Sequence, residues 1–213
     1  MSANPKTARL VRIAGTGANI RLSVADRDFL SDLARVQIIS SDLADKFHYD
    51  HLKGGSAGSL ERLEKAGILQ SKTLNQAGSL PIKTYQFASE PIAKAYGGRL
   101  PVTGAKRTDL HELITTRAFY ALDRPADFRL AADLTKAEIT RCGSLRPDAV
   151  FTDPGSGEMV MVEADSGQYT QSQIKDKMAR WRAAGNNRQV WAQPARGVSS
   201  NVPLVPGVQV MKL

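Results

Sequence analysis

Arg146-Pro147-Asp148 and, fifteen residues on, Glu163-Ala164-Asp165 are the residues of this chain whose types and spacing point to chemistry. The runs that carry them, Asp148-Ala149-Val150-Phe151 and Met159-Val160-Met161-Val162-Glu163, read as strands. Asp153-Pro154-Gly155-Ser156-Gly157 between them reads as a hairpin turn. Such a hairpin sets Asp148 and Glu163 on adjacent strands, where both carboxylates can point to one side of the sheet edge. Paired acidic oxygens suit a hard divalent ion, and Mg²⁺ fits because it keeps waters and meets phosphate. Asp148 and Glu163 are therefore the candidate metal ligands. Asp165 is a third acid beside them, and Lys175 or Lys177 on the next helix can reach back as the cation. The candidate catalytic set is Asp148, Glu163, Asp165 and Lys177.

This strand–turn–strand context, with an amphipathic helix after it, resembles the PD-(D/E)xK nuclease core. Pro147-Asp148 matches its first element and Glu163 its second. That core has a lysine two positions after the glutamate, where this chain has Asp165, and an acid cannot supply positive charge. Charge placement is most of what such catalysis consists of. The expectation is thus a domain that does not cut, and Mg²⁺ is expected only if the site works. The alternative is an Mg²⁺-dependent endonuclease or nickase using Asp148 and Glu163.

The elements that must position these residues read as helix, strand, strand, strand, helix, strand, with a short last strand after a long loop. Asp109 starts a helix with Leu110, Leu113, Ile114, Ala118, Ala121 and Leu122 on one face. Phe128–Leu134 is an irregular first strand, and the two acid-bearing strands follow. Gln171–Ala184 is helical, with Ile174, Met178 and Trp181 on one side. Gln189–Ala192 and Val208–Met211 are the last strands. No Gly-rich phosphate loop is present, because Gly15-x-Gly17 and Gly54-Gly55 lack the strand and lysine such loops use.

The first half reads as three helices and a hairpin. Ser23 caps a helix through Ala34, Ser40 and Ser41 cap a second over Asp42–Phe47, and a third carries Leu60 and Leu63 and ends at Gly67. Ile68–Gln70 and Ile82–Phe87 are two strands joined across Asn75–Gly78, the second expected at an edge. This order is that of a winged helix. The fold expected is therefore α+β: a basic arm over 1–22, a winged helix-turn-helix over 23–98, and a PD-(D/E)xK nuclease-like mixed α/β domain over 106–213. The Gly97–Gly104 stretch is the linker.

Charge indicates the partner. The chain has 213 residues, Lys+Arg 29 against Asp+Glu 21, a net charge of +8 and a pI near 9.7, a balance that favours a polyanion. Residues 1–22 hold Lys6, Arg9, Arg12 and Arg21 and no acid. Arg9 and Arg12 on the arm, Ser59, Arg62 and Lys65 on the third helix, and Lys72 and Lys83 on the wing are the candidate DNA contacts. Glu61 and Glu64 share the third helix and would repel phosphate. One cysteine, Cys142, and three histidines exclude a disulfide framework and a Cys- or His-rich metal centre. The start lacks a signal-peptide core, and no run approaches the ~20 apolar residues of a membrane helix. A cytoplasmic protein with no membrane partner is expected.

Together the halves resemble the replication-relaxation family of plasmid and mobile-element proteins. The resemblance rests on Leu22-Ser23-x-x-Asp26-Arg27-Asp28-Phe29-Leu30, Leu60-x-x-Leu63-Glu64-Lys65-Ala66-Gly67-Ile68-Leu69, His111, Pro147-Asp148-Ala149-Val150, Glu163-x-Asp165-x-Gly167 and Lys177. It covers roughly residues 22–185. In that family the glutamate-x-aspartate form is usual. The resemblance implies a DNA-binding accessory protein of plasmid replication, relaxation or conjugative mobilisation. Such a protein recruits or positions relaxase or replication proteins on duplex DNA. A winged-helix transcription regulator, dimerising through its second domain, is a further alternative.

Overall fold

Arg9–Arg12 (β1) and Asn19–Leu22 (β2) pair antiparallel, with Arg9 opposite Leu22 and Arg12 opposite Asn19. The basic start of the chain is thus in part a hairpin, with Ile20 and Leu22 turned inward. The computed structural model describes residues 9–13, 19–75, 80–101, 109–195 and 202–213. Lys6, the turn residues 76–78 and the linker residues 102–104 lie outside them, as does the Arg9 side chain. The chain divides into two units, Met1–Arg107 and Thr108–Leu213, just past the glycine-rich stretch.

In the first unit Ser23 starts α1 (Val24–Val36) through a capping box. Its hydroxyl accepts from the Asp26 N–H at 3.0 Å, and the Asp26 carboxylate accepts from the Ser23 N–H at 2.7 Å. Two donors that a helix start leaves open are satisfied at once. Phe29, Leu30, Leu33 and Val36 form the buried face. β3 (Ile39–Ser40), α2 (Ser41–Phe47), α3 (Ala57–Lys65), β4 (Leu69–Leu74), β5 (Ile82–Phe87) and α4 (Glu90–Ala95) follow. Gly67 closes α3 at a φ of 73°, which only glycine adopts without strain.

β5 is the central strand of a sheet ordered β3-β5-β4, with both pairings antiparallel. The expectation of an edge position is overturned by the two-residue β3, whose Ile39 and Ser40 face Tyr85 and Thr84. Thr84, Tyr85, Gln86 and Phe87 are all buried, with α2 and α4 packed on β5 beside its strand neighbours. A strand covered on both sides loses the alternation of a half-exposed one.

The second unit contains α5 (Asp109–Ala121), β6 (Arg129–Leu130), a 3₁₀ turn at Ala131–Asp133, α6 (Lys136–Arg141), β7 (Ala149–Thr152), β8 (Met159–Ala164), α7 (Gln171–Ala183), β9 (Arg188–Gln193) and β10 (Val208–Lys212). The strands form one mixed sheet in the order β10-β9-β8-β7-β6. The β6–β7–β8 pairings are antiparallel, and β8–β9 and β9–β10 are parallel. The architecture is mixed α+β, as the sequence indicated. Val150, Met161 and Trp191 share one face of the sheet and pack with Ile174, Met178 and Trp181 of α7 in a single buried cluster. α5 packs on β8 and β9. Among the described residues no helix is long and apolar enough to cross a membrane.

Candidate functional site

Register places the two acids. Ala149 faces Val162 across the hairpin, and the Asp148 N–H donates to the Val162 carbonyl at 3.0 Å, so Asp148 stands directly opposite Glu163. The parallel pairing of β8 with β9 sets Glu163 beside Trp191 and carries Asp165 alongside Gln193. Strand parity therefore puts Asp148, Glu163 and Asp165 on the face that α7 covers. Lys177, one turn before Trp181 on α7, reaches this face and pairs with Glu163 Oε1. Lys175, two residues earlier, is exposed.

Each acid is held differently. Asp148 Oδ2 accepts from the Ala164 N–H at 2.9 Å, and Oδ1 lies 2.9 Å from His111 Nε2 on α5. Burial alone would raise its pKa. The His111 hydrogen bond and charge, helped by Lys177 and the backbone donor, outweigh that and hold it at about 2. Glu163 is fully buried, and its Oε1 accepts from the Tyr169 hydroxyl at 2.5 Å as well as from Lys177. Burial, with the Asp148 charge opposite, pushes its pKa up to about 7, against the pull of Lys177 and Tyr169. Burial and the Glu163 charge in turn push the Tyr169 hydroxyl upward, which keeps it a donor. Two facing carboxylates with separated titrations are the arrangement expected when like charges share a buried site.

Asp165 does not join them. Its Oδ1 accepts from the Gly167 N–H at 2.8 Å and its Oδ2 from Gln193 Nε2 at 2.7 Å, which commits both oxygens to the loop and the neighbouring strand. The site's fit to Mg²⁺ follows from these commitments. Glu163 Oε2 and Gln193 Oε1 are buried with no hydrogen-bond partner, so one carboxylate oxygen is available. Both Asp148 oxygens and both Asp165 oxygens already accept or face a donor. An ion between the two facing acids would have to share them with Lys177 and His111, the cationic groups that already contact them. Asp148 and Glu163 are the residues that would hold Mg²⁺, with Glu163 Oε2 the carboxylate oxygen that has no hydrogen-bond partner.

The candidate DNA contacts of the first unit fall into three groups. Arg62 is tied inward: Nη2 donates to the fully buried Asp26 Oδ2 at 2.5 Å and Nη1 to the Arg21 carbonyl at 2.9 Å. Tyr49 OH donates to the other Asp26 oxygen at 3.1 Å. Lys65 pairs with Glu61 at 2.6 Å and Lys83 with Glu64 at 3.2 Å, so every charged side chain on α3 is already matched. Arg12 and Lys72 are exposed, and Ser59 is half-buried. Arg62→Ala is expected to lower the unfolding free energy by about 1–3 kcal/mol, because it leaves a buried carboxylate short of a charged partner. Lys65→Ala, at a surface pair, is expected to cost less than about 0.5 kcal/mol. Urea melts of the two variants separate the roles.

Sequence reasoning left out Tyr169 and Gln193, and named His111 only within the family resemblance and with no role. His111 shows only as a helix-face histidine, because nothing in the sequence says that α5 delivers it to Asp148. Tyr169 and Gln193 carry no motif. Their signal is topological: Tyr169 lies six residues past Glu163, and Gln193 sits where β9 ends beside Asp165. A different group, Asp28 and Asp32 one turn apart on α1 with His48 after α2, brings its ligand atoms within 4.8 Å of one another. His48 Nδ1 lies 2.9 Å from Asp28 and Nε2 3.5 Å from Asp32. A cavity of about 430 Å³ opens at the hairpin end of the second sheet, bordered by Phe151, Val160 and the Arg188–Asp153 ion pair, away from Asp148 and Glu163. Compared with known proteins, the chain matches no family model, no curated protein and no solved structure.

Proposed function

We propose that the chain binds duplex DNA as an accessory protein of plasmid or mobile-element replication, relaxation or mobilisation, and that it positions other machinery rather than cutting. The observation that carries this reading is the order of the first unit: helix, strand, two helices and a hairpin, closed as a β3-β5-β4 sheet. That order supports reading residues 23–98 as a winged helix, and the net charge of +8 supports a polyanionic partner. The non-cutting part rests on Asp165, which stands where the PD-(D/E)xK core has its lysine and whose carboxylate is tied to Gly167 and Gln193. The relaxase or replication partners, and a cytoplasmic setting, belong to the same proposal.

Cleavage is the second reading. It is favoured by Asp148 lying opposite Glu163 with Lys177 alongside, which supports a PD-(D/E)xK-like reading of residues 106–213. One experiment tests both. Binding of the full chain to duplex DNA is followed across a salt series, beside incubation of supercoiled plasmid with Mg²⁺ or Mn²⁺. Binding that weakens steeply with salt, by nearly one ion per phosphate contact, and plasmid left intact are expected. Metal-dependent nicking that disappears in Glu163→Gln would put the enzyme first, and binding indifferent to salt would remove the DNA reading.

A further inference from the structure

We infer that the segment Arg141–Arg146, between α6 and β7, is a phosphate-contacting surface of the second unit; this rests on the duplex-DNA reading above. Arg141 and Arg146 are both exposed, and neither has an ion-pair partner among the described residues. The acids on the same helix and on α7 are already matched. Glu138 pairs with Arg129 at 2.5 Å, and Asp176 pairs with Arg180 at 3.1 Å. Lys136, at the start of α6, is also exposed and without an ion pair among the described residues. The segment therefore carries positive charge that the unit does not use internally.

The backbone beneath these arginines is fixed. The Arg141 carbonyl accepts from Asn186 Nδ2 at 2.6 Å, and the Leu145 carbonyl accepts from the buried Trp181 indole at 2.8 Å. Between them Gly143 and Ser144 both take positive φ, 65° and 62°. Gly143 lies so close to α7 that a Cβ would come within 2.6 Å of the Arg180 carbonyl. Cys142 is buried in the core and Leu145 packs on it. Two arginines five residues apart are thus presented from a segment tied to α7 by Trp181 and to the loop after α7 by Asn186. Less ordering entropy is lost on meeting a ligand from such a loop than from a mobile one. A row of phosphates is the partner that two exposed arginines on a fixed backbone suit, since each guanidinium can bind in a bidentate fork.

The test uses the full chain and a fluorescein-labelled duplex of mixed sequence, with anisotropy read across a salt series. Arg141→Gln with Arg146→Gln is expected to reduce the slope of log affinity on log salt by nearly two. Near 0.1 M salt it is expected to weaken binding by on the order of fifty-fold. A charge-matched control, Lys94→Gln with Arg188→Gln, removes two cations that are paired to acids and is expected to leave the slope unchanged. Thermal melts that coincide with the unmodified chain show that the fold is intact. An unaltered slope in the Arg141/Arg146 variant, with the unmodified chain binding normally, overturns this inference alone. No salt-sensitive duplex binding by the unmodified chain overturns the DNA reading and this inference with it.

Discussion

Raising the pH from about 5 to about 8 is expected to lower the unfolding free energy by about 2–3 kcal/mol through Glu163, and Glu163→Gln is expected to remove that fall. The folded-state pKa of about 7 lies above the ordinary 4.5. Between those values the folded protein keeps a proton that the unfolded chain has released. The stabilisation is fully present below about 4.5 and is lost as pH rises through about 7. Denaturant melts at several pH values measure it. Glu163→Gln keeps an acceptor for Lys177 and Tyr169 but carries no charge to desolvate, so its stability should exceed that of the unmodified chain above pH 7. A variant that is less stable at pH 8, with the pH dependence still present, would show that the burial of Glu163 is not what sets the slope.

Asp148 should act in the opposite sense. Its folded value, about 2, lies below the ordinary 3.8. Its contribution is therefore present above about 3.8 and lost as pH falls through about 2. Asp148→Asn is expected to cost about 2–3 kcal/mol at neutral pH and little in strong acid. An amide has one acceptor oxygen for the two donors, the Ala164 N–H and His111, that the carboxylate serves. Acid titration followed by circular dichroism checks this: the variant's curve should converge on that of the unmodified chain at low pH. The two facing acids thus predict a stability maximum on the acid side of neutrality, with each flank erased by a different substitution.

The acids themselves were legible because a hairpin imposes period-two parity, and Asp153–Gly157 is a recognisable turn. Lys177 was legible because helical spacing from Ile174, Met178 and Trp181 fixes which side of α7 faces the sheet. His111 was not, since the side chain that meets Asp148 comes from a helix more than thirty residues upstream, and only the packing of α5 on β8 and β9 brings it there. Asp165 misled for a related reason. Parity assigns it the correct face, but Gln193 on the next strand claims its carboxylate, and strand neighbours are not written locally. In the first unit the two-residue β3 offers no periodicity at all, which is why β5 looked like an edge. α6 did carry a sign: Thr135-Lys136-Ala137-Glu138 is a capping box, and the structure forms it, with Thr135 Oγ1 accepting from the Glu138 N–H at 3.2 Å. Arg62 could not be told from a DNA contact, because its partner Asp26 lies a helix away and looks like a surface acid at a helix start.

The pairing of Asp148 with Glu163 depends on which residues face each other across β7 and β8, and the distance between them along the chain is a by-product. The turn is closed by Asp153 N–H to the Glu158 carbonyl at 2.9 Å and by Gly157 N–H to the Asp153 carbonyl at 2.8 Å, outside the strands proper. Residues added within that turn would bulge into solvent and leave the acids opposed, although their separation in sequence would grow. A single residue inserted between Asp148 and Thr152 would instead turn one acid to the other face of the sheet. Among chains built on this plan the acids should therefore drift freely in spacing while keeping their place across the hairpin, much as two rungs of a ladder stay level however long the loop of rope that joins its rails.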